Sequence, residues 1–155
     1  MKTCELISRL KICRSLEEVF PFFADASNLN LLTQEWLNFL ILTPSPIMMK
    51  EGREIDYRLR LHGIPLRWRS RIKVWNPPSL FIDEQVRGPF RSWIHEHHFL
   101  AVGRETIIED RVSYGVWGGS IIDRFLVAPD LRRIFEYRRA QLSERFPDIS
   151  IDLAR

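Results

Sequence analysis

The hydrophobic pattern predicts an α+β domain: a curved antiparallel sheet of about seven strands wrapped around a long C-terminal helix, with two short helices between strands one and two. Three observations carry this. Five strand-like segments follow one another between residues 53 and 114, joined by turns too short for a crossover, so they are sequential antiparallel neighbours. A single long stretch near the C-terminus, 130–146, has apolar residues at helical spacing. It is the element able to cover the concave apolar face of such a sheet, and a sheet gripping a helix leaves a cavity between them.

The elements follow in order. Leu6, Ser8, Leu10 and Ile12 alternate with Ile7, Arg9 and Lys11, the period of a strand with one charged face, over 5–12. Ser15 stands three residues before Glu18, the spacing of a capping box, and Leu16, Val19, Phe20 and Phe23 follow at helical intervals, so a short helix begins there. After the break at 25–28, Leu29, Leu32 and Trp36 predict a second short helix. The strand-like segment 39–43 comes next and is ended by Pro44 and Pro46, because proline cannot donate to a ladder. The meander comprises 53–61, 66–75, 79–86, 91–101 and 105–114, separated by His62-Gly-Ile-Pro65, Asn76-Pro-Pro78, Gly88-Pro89 and Val102-Gly-Arg104. Gly115, Gly118 and Gly119 loosen the chain after Tyr114, and Ile134, Phe135, Arg138, Leu142 and Phe146 then mark the long helix. Pro129 is compatible with either a kink or a break between Ile121 and Leu131. Residues 147–155 read as a tail on a single domain spanning 1–155.

Composition narrows the class. A chain of 155 residues, 45% hydrophobic and 28% charged, fits one globular domain large enough to bury a core, and a net charge of +3 implies little beyond solubility. Lys2, Glu5, Arg9 and Lys11 interrupt any signal-peptide core, and Cys4 and Cys13 can make at most one bridge, so a reducing, cytoplasmic setting is expected. No apolar run approaches the ~18 residues that a membrane span requires.

Beyond the order of elements, four segments carry a resemblance: Tyr57-Arg-Leu-Arg-Leu-His-Gly-Ile-Pro-Leu-Arg-Trp68, Asp83-Glu-Gln-Val-Arg-Gly-Pro-Phe90, Trp93-Ile-His-Glu-His-His-Phe99 and Asp110-Arg-Val-Ser-Tyr114. They resemble a bacterial subfamily of ligand-binding proteins in the SRPBCC superfamily, the helix-grip fold shared by START lipid-transfer domains, polyketide aromatase/cyclases and plant pollen allergens. The resemblance implies the helix-grip fold over nearly the whole chain and a hydrophobic ligand cavity. Activities in that superfamily range from carriage to cyclisation, so the ligand does not follow from it. Thr33-Gln-Glu-Trp36 departs from the pattern where a proline is expected, which bears on the local loop shape.

The candidate site lies between Asp83 and Phe99. Phe81, Asp83 and Gln85 share one face of a strand, and Trp93, His95, His97 and Phe99 share one face of the next. Carboxylates and imidazoles normally stay on the wet side of a half-buried strand, so this interleaving of aromatic and polar groups reads as a pocket lining. Tyr57, Trp68, Asp110 and Tyr114 fall on the same inward face and complete the expected ligand-binding set. His95 and His97 point the same way with side-chain origins roughly 7 Å apart. Three readings compete for them. A metal site would draw a further ligand from Asp83 or Asp110, but no Cys or third His joins the pair on its face, and neither metal nor cofactor is expected. A catalytic site would use His95, His97 and Asp83 as acid/base groups adequate for enolisation or dehydration. The favoured reading is that the polar groups satisfy one another and order the pocket, since an unpaired buried charge costs on the order of 3–5 kcal/mol.

Arg67, Arg69, Arg71 and Lys73, with Arg58 and Arg60, form a cationic stripe on the outer face, lacking aromatic stacking residues; nucleic acid is not an expected partner. No phosphate loop or nucleophile motif is present. The function expected is binding or carriage of a small hydrophobic or aromatic molecule. The alternative is a cyclase, hydratase or isomerase acting on a polyketide-like or aromatic substrate.

Overall fold

The structure, a computed structural model, describes residues 3–147 and 149–152. The elements run β1 (Cys4–Ile12), α1 (Leu16–Ala24), a 3-10 turn, α2 (Leu29–Leu32), a second 3-10 turn, β2 (Leu40–Ile41), β3 (Glu54–Leu61), β4 (Ile64–Asn76), β5 (Leu80–Arg87), β6 (Ser92–Val102), β7 (Glu105–Gly115), α3 (Gly119–Ile122), a π-helical turn (Asp123–Val127), α4 (Ala128–Arg145) and β8 (Ile149–Asp152). One antiparallel sheet takes the order β2-β3-β4-β5-β6-β7-β1-β8. This is the helix-grip arrangement that the pattern predicts, with the meander running without a crossover from β3 to β7.

The strand faces follow from strict alternation. In β7, Thr106, Ile108, Asp110, Val112 and Tyr114 are all buried while the residues between them are not. Two shifts of register between β4 and β5, at Arg69/Ser70 and at Ile72/Val74, bend the sheet at its middle. Bulges of this kind raise local twist and curl a sheet around what it covers.

Three details differ from the sequence reading. The eighth strand, Ile149–Asp152, pairs with β1 in register Leu10↔Ile151 where a tail is expected; β1 is otherwise an open edge, and an unpaired edge favours capture of extra backbone. Ser15 stands at the N-cap of α1 with no side-chain cap, so the capping box does not close and Glu18 N–H bonds the Ser15 carbonyl instead. At Pro129 neither a kink nor a break is needed. A π-helical turn over Asp123–Val127 immediately precedes α4, and proline occupies the second position of that helix. The wider turn absorbs the missing N–H where the chain passes from α3 into α4. Gly118 (φ 88°) and Gly119 (φ 74°) allow the reversal from β7 into this helical stretch, in a region that residues with a Cβ rarely adopt.

Packing divides the interior. At one end, α1 sets Phe20 edge-on to Phe99 (centroids 5.2 Å, 80°), while Phe22 meets Phe146 from the end of α4 (5.6 Å, 88°). Leu10, Ile12, Val19, Ile108 and Leu142 belong to the same cluster. A second cluster joins Val112 and Tyr114 to Leu131 and Phe135 of α4, and a third holds Ile55 and Tyr57 against Ala26. The space between the clusters positions the site. Ile108→Ala, at a fully buried position in the first cluster, is expected to cost about 2–5 kcal/mol. Leu100→Ala, on the 60% exposed outer face, should change stability by no more than ~0.5 kcal/mol. Urea unfolding midpoints measure both.

Candidate functional site

Sheet register assembles the polar groups. Across β5, β6 and β7, Asp83 lies opposite His95, and His97 lies between Phe81 on one side and Asp110 on the other. The hydrogen bonds run diagonally. His97 Nε2 is 2.9 Å from Asp83 Oδ2, and His95 Nε2 is 3.0 Å from Asp110 Oδ1. Diagonal neighbours on one face are within reach of long side chains, which is why the alternation of 95 and 97 suffices. Asp110 Oδ1 also makes an ion-pair contact with His97 Nδ1 at 2.9 Å. The two imidazoles lie 3.8 Å apart between centroids with their planes tilted by 33°, and Phe81 stacks on His97 at 4.1 Å. From α4, Arg138 brings Nη2 to 3.7 Å from the same Asp110 oxygen.

The groups set one another's charge. Burial pushes the Asp110 carboxyl up, but the Arg138 charge and the two imidazoles outweigh it and hold the group well below the usual carboxylate range. Asp83 is likewise held low: burial opposes ionisation, and the His97 hydrogen bond with the charges around it overcomes that. His97 is raised, because its contacts with Asp110 and Asp83 exceed the cost of burying the imidazolium. His95 goes the other way, lowered by burial and by the neighbouring charge of His97. At neutral pH the cluster therefore sets two carboxylates and the Arg138 guanidinium around a neutral His95, with His97 biased toward its protonated form. With Asp110 ionised, His95 donates Nε2–H to it, which leaves Nδ1 as a lone-pair acceptor.

A cavity of about 480 Å³ lies between the sheet and the C-terminal helical stretch. Of the expected ligand-binding residues, Tyr57, Trp68, Asp83, Trp93, His95 and His97 line it. Trp68 and Trp93 meet edge to face at 5.1 Å and form one wall, and Leu59, Leu131, Ile134 and Phe135 supply apolar surface. Four expected residues are elsewhere. Phe99 is buried in the core under α1, and Asp110 sits behind the imidazoles. Tyr114 donates its hydroxyl to Asp123 Oδ1 at 3.0 Å and pins the π-turn to the sheet. Gln85 closes the β5–β6 turn, donating to the Phe90 carbonyl (2.8 Å) and accepting from Phe90 N–H (3.2 Å). A Cβ on Gly88 would collide with the Gln85 side chain, so turn and glutamine specify each other.

Sequence reasoning missed two features. Arg138 interrupts the apolar stripe of α4 midway between Leu131 and Phe146. A charge at the centre of such a stripe is the signal that marks it. His62, exposed in the turn between β3 and β4, also bonds through Nε2 to Asp130 Oδ2 at 2.7 Å, joining that turn to α4 beside the cavity. Trp117 and Leu126 line the cavity and are 64% and 50% exposed, which makes an apolar rim at its mouth. On the outer face, Arg69 pairs with Asp56 (2.7 Å), and Arg71 and Lys73 with Glu84 (3.0 and 3.4 Å), so much of the cationic stripe is internally compensated.

Asp83, His95 and His97 bring one potential ligand atom each within 4.8 Å of one another. Their partners do not favour a cation: His97 has a carboxylate near each nitrogen, which favours its protonated form, and Arg138 already supplies positive charge. Metal chelation by His97 would have to displace its contacts with Asp83 and Asp110.

Two outcomes follow from this electrostatic arrangement. Asp110→Asn leaves two cationic partners short of a counter-charge and should cost about 3–5 kcal/mol in urea unfolding. His97, raised above its ordinary 6.5, contributes stability fully below that pH and loses it as pH rises through the raised value. The unfolding midpoint should therefore fall as pH rises above 6.5. His97→Gln should flatten that limb; a limb of unchanged slope would assign it to another group.

No family model matches the sequence, and no curated protein matches it. Solved structures do match in fold. TTHA0849 from Thermus thermophilus superposes with a TM-score of 0.69 at 19% identity, covering 92% of this chain and 97% of that one. Major latex-like protein 151 from Panax ginseng gives 0.68 at 12% identity over 93% and 97%. Norcoclaurine synthase from Thalictrum flavum, in complex with dopamine and hydroxybenzaldehyde, gives 0.65 at 13% identity over 92% and 88%. Among the described residues no helix is long and apolar enough to cross a membrane. With its open antiparallel sheet closed over a C-terminal helix, the chain has the helix-grip fold of the START and SRPBCC type.

Proposed function

We propose that the protein binds or carries a small hydrophobic or aromatic molecule in the cavity between the sheet and α4. The supporting observation is the distribution of chemistry on the cavity wall. Aromatic and aliphatic side chains make up most of it, and Asp83, His95, His97 and Arg138 converge in one polar cluster on it, the usual composition of a small-molecule site. The volume of about 480 Å³ suits a ligand of two or three rings or a medium-length acyl chain. Norcoclaurine synthase, which shares the fold, holds dopamine and hydroxybenzaldehyde, and aromatic ligands of that size would fit here.

A second reading has its own observation. His95 is fixed by an ionised Asp110 in the tautomer that leaves Nδ1 unprotonated, and it lines the cavity. Such a dyad is suited to remove a proton from a bound carbonyl compound, the step shared by cyclases, hydratases and isomerases, with His97 and Asp83 holding the neighbouring charge.

The first reading predicts saturable binding of the uncharged probe N-phenyl-1-naphthylamine, measured by its fluorescence, and native mass spectrometry should detect a co-purifying organic molecule. Trp93→Arg should abolish probe binding while the protein still melts cooperatively. No saturation in the wild type would reject the reading. For the catalytic alternative, any turnover found must disappear in His95→Ala with His97→Ala; activity that survives both removes these residues from the chemistry.

A further inference from the structure

Arg138 is the one arginine or lysine among the described residues that lines the cavity. Its side chain is 11% exposed. Two rings hold the guanidinium, Phe23 and Phe135, each with its centroid 5.9 Å from Cζ. Rings orient a guanidinium and stabilise its charge, but they offer its N–H groups no in-plane acceptor. The nearest carboxylate oxygen, Asp110 Oδ1, is 3.7 Å from Nη2, beyond hydrogen-bond length. That oxygen already receives His95 and contacts His97. Arg138 Nε is buried with no hydrogen-bond partner among the described residues. Arginine cannot relieve this by losing a proton, so its buried donors require an acceptor.

We propose that Arg138 is the anchor for a ligand carboxylate, and that the molecule bound is an amphipathic monocarboxylic acid whose apolar body lies against Trp68 and Trp93. This rests on the binding reading above and names its ligand class. The planar fork of a guanidinium matches a carboxylate in bidentate geometry, which an alcohol or an aldehyde cannot reproduce. The surroundings limit the ligand to one negative charge. Asp83 and Asp110 already offset the positive charge of the cluster, so the wall favours a ligand that brings no more than one negative charge. A phosphate dianion would add a further negative charge, and among the described residues the wall carries no second arginine or lysine to offset it.

The test uses the full chain loaded with N-phenyl-1-naphthylamine at neutral pH and two matched pairs of competitors: decanoic acid with 1-decanol, and 2-naphthoic acid with 2-naphthalenemethanol. The acids should displace the probe at least about tenfold more tightly than the alcohols. Arg138→Met should bring each acid to the level of its alcohol, read as the ratio of acid to alcohol competition within the variant so that any change in probe affinity cancels. Arg138→Lys, which keeps the charge and therefore the fold, should retain only part of the preference, since an ammonium lacks the fork. Equal competition by acid and alcohol in the wild type overturns the carboxylate anchor and leaves the binding reading standing. An undiminished preference in the Lys variant, or in a folded Met variant, overturns the role of Arg138. Absence of probe binding to the wild type overturns both.

Discussion

One carboxylate oxygen organises this molecule. Asp110 Oδ1 is buried in the middle of β7, and three cationic or donating groups converge on it: His95 and His97 from β6 and Arg138 from α4. Burying an ion is costly, and a buried carboxylate persists only where partners are held in place. Each partner is fixed by a different part of the fold. The β6–β7 register places the imidazoles, and the seating of α4 between Leu131 and Leu142 places the guanidinium. The strand pairing, the tautomer of His95 and the position of the helix are thus aspects of one electrostatic requirement.

The same requirement explains why the interior is hollow. An apolar sheet and an amphipathic helix would close on each other along their whole length, because removing apolar surface from water is favourable wherever the two can meet. Here the polar groups occupy the middle of the facing surfaces, and the apolar clusters lie to either side. The aromatic cluster under α1 clamps the far end of α4 through Phe22 and Phe146, while Leu131 and Phe135 hold its near end. Tyr114 adds a polar tie to the π-turn. Helix and sheet are pinned at both ends and kept apart between them.

Much of this was legible in the chain. The meander is readable because alternation and short turns leave a single pairing order, and the inward direction of His95 and His97 follows from their spacing alone. What pattern could not give is depth. Phe99 and Trp93 share a strand face, yet one packs under α1 and the other borders the cavity, because the difference depends on which helix lies above each. Gln85 has the right parity to point inward, but the Gly88 turn draws its amide to Phe90. Arg138 was visible as part of the helical stripe, and only the partner across the interior explains a charge there. β8 was hidden because the two isoleucines of 149–152 acquire meaning only from the free edge of β1.

The shared carboxylate oxygen also shapes how such a sequence can change over generations. Asp110, His97 and Arg138 are electrostatically coupled, because loss of one leaves the charge of the others less compensated, and His95 depends on Asp110 for its hydrogen bond. A lineage moving toward a purely apolar cavity must cross variants less stable than either end point, unless several substitutions arrive together. Residues on the cavity wall that do not touch the oxygen, such as Leu59, Leu66 or Ile134, carry no such constraint. Divergence in ligand preference should therefore accumulate around a polar centre that stays the same, so that relatives of this chain would differ in the shape of what they accept before they differ in how they hold it.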